Sequence, residues 1–134
     1  MLTVEAMTGR AERFFQGKTQ FPKERYPIVT VRDGEALGGV LFYKDQQTGI
    51  MGCLMERKHG NWLDAESLAK IVEFPFHTLG VDMVVTTLDG SAPMVSLFEK
   101  MGAIFENDAK RKGIFTRENA LNAARVLRGE KYEE

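Results

Sequence analysis

The segment that decides the fold reads GIMGCLMERKHGNW and runs from Gly49 to Trp62. Its first part is apolar enough for a buried strand, and a polar bend containing a glycine leads from it into a helical period. The apolar positions of that period are Leu68, Ile71, Val72, Pro75, Phe76 and Leu79. We therefore predict a strand, a bend and a helix that ends at Gly80 and has Asn61 or Asp64 as its cap. A strand–helix junction offers backbone N–H groups and a helix dipole to an anion, although any such junction has some of this property.

Two more strands are predicted upstream, at residues 28–32 and 37–43, with the turn dipeptide Asp33-Gly34 between them. Short turns join these strands to the one at residues 49–56, so the three form an antiparallel meander. Bulges, a close backbone approach or weakened strand packing are the three readings of the strand glycines Gly38, Gly39 and Gly52. Residues 3–16 are predicted to form a short helix before the meander.

Downstream of the long helix, strands alternate with helices. Strands are predicted at residues 81–88, 103–106 and 112–115, with helices at residues 92–101 and after Thr116. A strand–helix–strand crossover added to an antiparallel meander is parallel and right-handed. The predicted fold class is therefore α/β, with one mixed, mainly antiparallel sheet that has a central parallel strand pair and flanking helices. We expect a single domain over residues 1–134, with a short preamble (1–27) and a C-terminal helix with a frayed tail (117–134).

Composition narrows the class of protein. The 134 residues suit one compact domain, and a formal net charge of −1 argues against a dedicated nucleic-acid binder. No apolar run is long enough to span a bilayer, and no secretory signal is visible. The single Cys53 fits a reducing compartment, and two histidines with one cysteine are too few for the common zinc sites. We expect a cytoplasmic protein without a metal site, a nucleic-acid partner or a membrane partner.

The junction and the sequence after it resemble the GNAT acyltransferases. That family carries Gln or Arg, two residues, Gly, one residue, and Gly or Ala at this bend; Arg57 and Gly60 match, and Trp62 departs from the pattern. Further matches are an aromatic-proline patch followed by Leu-Gly at residues 74–80, and a series from Leu97 to Ala103. Ser91 stands where the family usually has Asn. The likeness covers residues 28–115, and it is most similar to GNAT-type proteins encoded by bacteriophages.

The resemblance implies transfer of an acetyl group from acetyl-CoA to an amine. In the family, the third strand and the strand after the long helix splay apart, and the pantetheine arm pairs with the exposed backbone of the third strand. A diphosphate then binds the N–H groups of residues 58–62, and a backbone N–H stabilises the oxyanion. The cofactor-binding residues that the resemblance implies are Cys53, Leu54, Met55, Arg57, Lys58, His59, Gly60, Asn61, Trp62, Ser91 and Phe98.

The catalytic candidates are Glu56, as the base that deprotonates the amine, and Ser91. Glu56 has the plainer reading of an exposed carboxylate at a strand end. Phe98 stands where the family often has a Tyr that protonates the leaving thiolate, and Phe98 cannot donate a proton. Cys53 is either a nucleophile or, more simply, a small buried apolar residue. The bulky Trp62 either blocks the bend or points into the core.

Several residues keep alternative interpretations. The basic clusters at residues 57–59 and 110–112 are either solvated loops or phosphate contacts, and His59 is a base, a phosphate contact or a surface histidine. Phe14, Phe21 and Tyr26 are candidates to shape the pocket for the amine, which is a small molecule or a protein. The outer edge of the meander or the C-terminal helix offers a homodimer contact.

Three functions are compatible with these patterns. The first is an acyl-CoA-dependent N-acetyltransferase, located in the host cytoplasm if a phage encodes it. The second is a GNAT-fold protein that has lost its chemistry and serves as a binding or virion component. The third is an unrelated small α/β ligand-binding module. Trp62 and Phe98 distinguish the first two, since one decides whether the bend is free and the other whether a side-chain acid is present.

Overall fold

The computed structural model describes residues 2–17, 24–45, 47–87, 92–106 and 112–129. Within them the chain forms seven strands and four helices, in the order β1 (Thr3–Ala6), α1 (Gly9–Phe15), β2 (Arg25–Arg32), β3 (Glu35–Lys44), β4 (Met51–Arg57), α2 (Ala65–His77), β5 (Met83–Thr87), α3 (Ala92–Lys100), β6 (Ile104–Phe105), β7 (Lys112–Thr116) and α4 (Arg117–Leu127). The predicted α/β fold class is confirmed: strands that are mostly antiparallel are combined with helices.

The chain divides into two compact units, Met1–Ser67 and Leu68–Glu134. In the N-terminal unit the strands lie in the order β1-β2-β3-β4, and each neighbouring pair is antiparallel, so the predicted meander is correct. The β2–β3 turn has Asp33 and Gly34 at φ 52° and 79°, the left-handed conformation that this dipeptide tolerates. On one face, α1 packs a small core against β2 and β3 that consists of Ala11, Phe15, Val29, Val31 and Leu41.

The predicted helix over residues 3–16 is wrong in its first half, which is the strand β1. Val4 and its neighbours pair antiparallel with β2, from Thr3 opposite Val31 to Ala6 opposite Ile28. Thr8 then caps α1, since its hydroxyl accepts a hydrogen bond from the Ala11 N–H at 3.2 Å. The helical spacing of apolar residues was misleading because pairing with a distant strand determines this segment.

The helix α2 begins with a reciprocal cap. Asp64 Oδ1 accepts a hydrogen bond from the Ser67 N–H at 2.7 Å, and Ser67 Oγ accepts one from the Asp64 N–H at 2.9 Å. Of the two predicted caps, Asp64 is therefore the one used. The Ser67 hydroxyl also donates to Asp64 Oδ1 at 2.6 Å; this bond is the largest cause that lowers the pKa of Asp64, and the bond from the Ser67 N–H is the next.

In the C-terminal unit, antiparallel strands lie in the order β5-β7-β6. Gly80 follows α2 at φ 70°, as its position after the helix predicts. The Arg117 guanidinium donates hydrogen bonds to the carbonyl oxygens of Phe76 (3.0 Å) and Val81 (2.8 Å), which ties α4 to the end of α2. No helix among the described residues is long and apolar enough to cross a membrane.

Candidate functional site

The bend that follows β4 is attached to β3 through its backbone. β3 and β4 pair up to Gly38 opposite Arg57, and the N–H groups of Lys58 and His59 then both donate to the Leu37 carbonyl oxygen, at 2.8 and 3.1 Å. We predicted that the backbone donors of residues 58–62 are free, and for these two residues that expectation is wrong. Their hydrogen bonds to Leu37 continue the β3–β4 ladder past the end of the strand.

The turn at Gly60 and Asn61 has backbone donors still available. Neither N–H forms a hydrogen bond to any residue that the structure describes. Both residues are exposed, and a Cβ added to Gly60 would meet no atom within 4 Å. Of the backbone donors predicted to hold a diphosphate at residues 58–62, the amides of Gly60 and Asn61 are thus still available.

The indole of Trp62 is directed toward β3 and does not fill the bend. Its side chain is 5% exposed, and a Cβ added to Gly38 would lie 2.5 Å from its Cδ2 atom. Of the two predicted orientations, the inward one is correct. The same contact explains Gly38, since only a residue without a side chain fits under the ring.

The basic side chains of the bend differ in whether they have a carboxylate partner. Lys58 Nζ lies 2.6 Å from a carboxylate oxygen of Glu35, and His59 Nε2 lies 3.4 Å from the same oxygen. The pKa of Glu35 is lowered, chiefly by its hydrogen bond with Lys58 and next by that with His59. Arg57 is exposed and forms no ion pair or hydrogen bond with a described side chain. Of the basic side chains at residues 57–59, Arg57 is therefore the one that has no ion-pair partner among the described residues.

Glu35 was not recognised from the sequence. It lies directly after the Asp33-Gly34 turn, far from the bend in sequence, and the separation between Glu35 and Lys58 is 23 positions. The signal was present in the hairpin register, since extending the β3–β4 pairing beyond Arg57 brings the start of β3 beside residues 58–60. Leu37, whose carbonyl accepts two bend amides, was missed for the same reason.

Glu56 lies near the end of β4 on the face that α1 covers. It is opposite Gly39, and it points the same way as Leu54, which packs against the α1 core. The carboxylate is half-buried and has no hydrogen-bond or ion-pair partner among the described residues. The space above Gly39 is filled by β2, since a Cβ there would lie 2.8 Å from Val29 Cγ1. The role of Glu56 as a base remains a prediction.

The other residues implied on β4 are divided between the two faces. Cys53, the single cysteine of the sequence, is 7% exposed, which fits the reading of a small packing residue better than that of a nucleophile. Met55 shares its face, and Leu54 lies on the opposite one. Contacts of these three residues with a pantetheine arm would be made by the backbone and stay a prediction.

Phe98 is a core residue of the C-terminal unit. It is 2% exposed, and its ring meets that of Phe115 edge-on at a centroid distance of 5.5 Å. A Cβ on Gly113 would lie 3.2 Å from the Phe98 ring, so β7 leaves room for it. A ring buried in this way offers almost no surface to a ligand, which argues against the implied cofactor contact.

Ser91 and Phe21, and with them positions 110 and 111 of the second basic cluster, lie outside the described residues.

Comparison with solved structures identifies the fold. Mutant forms of the spermidine/spermine N-acetyltransferase SpeG from Vibrio cholerae align with a TM-score of 0.69 and 11% identity, over 91% of this chain and 98% of theirs. The N-acetyltransferase PseH from Campylobacter jejuni, in complex with acetyl coenzyme A, gives 0.59 and 11%, over 87% of this chain and 99% of its own. The aminoglycoside N-acetyltransferase AAC(6')-Ib11 gives 0.62 and 13%, over 89% and 98%.

These likenesses define the class of fold: the chain has the GNAT acetyltransferase fold. A scan against protein-family models finds no match, and a search of the curated proteins finds no relative. At 11–13% identity the similarity extends to the fold alone. The chemistry has to be argued from the residues of the bend and of β4.

Proposed function

We propose that this protein is an acyl-CoA-dependent N-acetyltransferase that transfers the acetyl group of acetyl-CoA to an amine. The observation that carries the proposal is the position of Trp62. Its indole, the bulkiest departure from the GNAT pattern, packs on Gly38, and the space around Gly60 stays open, since a Cβ there would meet no atom within 4 Å. The fold, which is that of N-acetyltransferases that use this cosubstrate, supports the same conclusion.

The bend suits the diphosphate of a CoA thioester. The amides of Gly60 and Asn61 would donate to phosphate oxygens, and the guanidinium of Arg57 would supply a fixed positive charge beside them. Lys58 and His59 would contribute only through their side chains, because their N–H groups are bonded to Leu37. The backbone of residues 53–55 would pair with the pantetheine arm. When bound, acetyl-CoA supplies an activated acyl group.

Glu56 is the residue we propose as the base. An amine must lose a proton before it attacks a carbonyl carbon, and a carboxylate without a competing ion pair can accept that proton directly or through a water. Glu56 has no ion-pair partner among the described residues, and it lies within one residue of the bend. We assign no acid to Phe98, since it has no proton to donate. The proton on the departing thiol would come from Ser91 or from solvent.

The acceptor is an amine of a small molecule or a protein. Of the structurally similar proteins, SpeG is named for spermidine and spermine and AAC(6')-Ib11 for aminoglycosides; these names describe those proteins only. Phe14 and Tyr26 remain the candidates to shape the acceptor pocket. A homodimer, a cytoplasmic location and a bacteriophage origin are further parts of this proposal.

A second candidate is a GNAT-fold protein that binds a partner or assembles into a virion without catalysis. The burial of Phe98 in the core favours it, since the position that often bears the acid is used for packing. The two bend amides bonded to Leu37 favour it as well. Binding of CoA distinguishes the two candidates, because a protein that has lost its chemistry is under no constraint to keep the bend exposed.

Calorimetric titration with acetyl-CoA, followed by a thiol-release assay with a panel of amines, tests the proposal. We expect micromolar binding and amine-dependent release of CoA. Arg57→Gln should weaken binding, whereas the charge-matched control Lys70→Gln, an exposed site on α2, should leave it unchanged. No heat at millimolar acetyl-CoA would exclude the acetyltransferase and leave the binding protein.

A further inference from the structure

A carboxylate of the chain itself already contacts two basic side chains of the bend. The carboxylate oxygen of Glu35 lies 2.6 Å from Lys58 Nζ and 3.4 Å from His59 Nε2. All three side chains are close to half exposed, between 44% and 55%, so the pairing is in contact with solvent. An exposed ion pair is weak and exchanges readily with another anion.

The backbone fixes this arrangement. Because Leu37 accepts hydrogen bonds from the N–H groups of both Lys58 and His59, these two residues are held beside the start of β3. Glu35 is two residues before Leu37 and is therefore held within reach of both side chains. The proximity of the three residues thus results from strand pairing.

We propose that Glu35 is a specificity-determining residue that competes with the phosphates of the ligand for Lys58 and His59. This inference rests on the proposed function, because the ligand is the CoA thioester of that function. A ligand phosphate gains the same contacts with Lys58 and His59 by displacing Glu35. The bend therefore favours a ligand that also engages the Gly60 and Asn61 amides and Arg57, and it disfavours a small phosphate that reaches only the lysine and the histidine.

Removal of the Glu35 charge should therefore tighten binding. We expect Glu35→Gln to lower the dissociation constant for CoA by up to about fivefold at low salt, the range of an exposed ion pair. The gain should be larger, relative to the wild type, for inorganic phosphate, since phosphate lacks the additional contacts. High salt should reduce the difference, because the charges are exposed and are screened over about 10 Å at 0.1 M.

Calorimetry with CoA and with inorganic phosphate, at low and high salt, tests this on the full chain. Glu99→Gln, an exposed site on α3, controls for the change in net charge, and thermal melts verify that each variant is folded. A variant set in the Lys58→Gln/His59→Gln background distinguishes competition from a general field effect. If Glu35 competes for these two side chains, its substitution has no effect in that background.

The outcomes separate the inference from the proposed function. The inference is supported if Glu35→Gln tightens CoA binding in the natural chain but has no effect in the Lys58→Gln/His59→Gln background. Equal or weaker binding of CoA by Glu35→Gln, or a gain that persists without Lys58 and His59, overturns the inference and leaves the function intact. No binding of CoA by either protein overturns the function and the inference with it. If Glu35→Gln binds CoA and the natural chain does not, the inference is supported, and acetyltransferase activity of the natural chain is contradicted.

Discussion

The indole of Trp62 occupies the space that a side chain at Gly38 would need, because a Cβ there would lie 2.5 Å from Cδ2 of the ring. This contact joins the end of the bend to the middle of β3. It places the largest side chain of the segment against β3, and a Cβ at Gly60 would meet no atom within 4 Å; the proposed diphosphate site depends on this arrangement.

Gly38→Ala should therefore destabilise the protein. The new methyl group forces either the indole or β3 to shift, and overpacking of this kind costs about 1–3 kcal/mol of the free energy of unfolding. Gly60→Ala is the matched control, since its Cβ meets nothing within 4 Å, and we expect a change of less than about 0.5 kcal/mol. Urea denaturation measures both; equal effects of the two substitutions would contradict the contact.

The ion pair between Arg128 and Glu73 should make stability depend on pH. Arg128 Nη2 donates to Glu73 Oε1 at 2.6 Å, and Nη1 contacts the other oxygen. The hydrogen bond from Arg128 is the largest cause that lowers the pKa of Glu73. A carboxyl whose pKa is lower in the folded chain stabilises the fold above its unfolded value and loses that contribution as the pH falls.

Glu73→Gln should thus cost about 0.5–1 kcal/mol at pH 7, an amount limited by the partial exposure of the pair. The difference from the wild type should shrink as the pH drops below about 4.5, the ordinary value for this carboxyl. Urea denaturation between pH 7 and pH 3 measures it, with Glu99→Gln as the control. A difference that stays constant with pH would show that the charge of Glu73 contributes nothing.

Glu56→Gln should lower kcat by about a hundredfold while the affinity for CoA stays the same. The amide is the same size as the carboxylate but cannot accept the proton of the amine. Steady-state kinetics with saturating acetyl-CoA, together with calorimetry, separate the two quantities. Unchanged kcat would assign the base elsewhere, and weakened CoA binding would indicate a structural role for Glu56.

Phe98→Tyr should not increase activity, although it restores the side chain that the GNAT pattern often has here. Because the ring is 2% exposed and packs on Phe115, the added hydroxyl would be buried in the core of the C-terminal unit. We expect a loss of about 1–3 kcal/mol in the free energy of unfolding. A rise in kcat without loss of stability would show that the ring reaches the reacting thiol.

Local signals in the sequence predicted the elements that local interactions form. The meander, the Asp64 cap and the glycine at the end of α2 follow from turn dipeptides, a capping residue and a helical period, all of which act over a few positions. The strand β1 was missed because its conformation depends on pairing with β2, and its own apolar spacing fits a helix equally well.

The sequence predicted the position of the candidate site, but the prediction that the Lys58 and His59 N–H groups are free was wrong. Arg57 and Gly60 identified the bend, but the sequence does not show that Leu37 accepts the Lys58 and His59 amides. Nor does it show that Glu35 pairs with their side chains. Both contacts are made across β3 and β4, so they require the register of that pair, which a single sequence specifies only loosely.

The most direct test of the account is an NMR titration that follows the backbone amides of the bend while CoA is added. The account predicts that the resonances of Gly60 and Asn61 shift in a saturable way. It also predicts that the amides of Lys58 and His59, which are bonded to Leu37, move much less. If Gly60 and Asn61 are unaffected at saturating CoA, or if CoA does not bind, the bend is not a diphosphate site and the account is wrong.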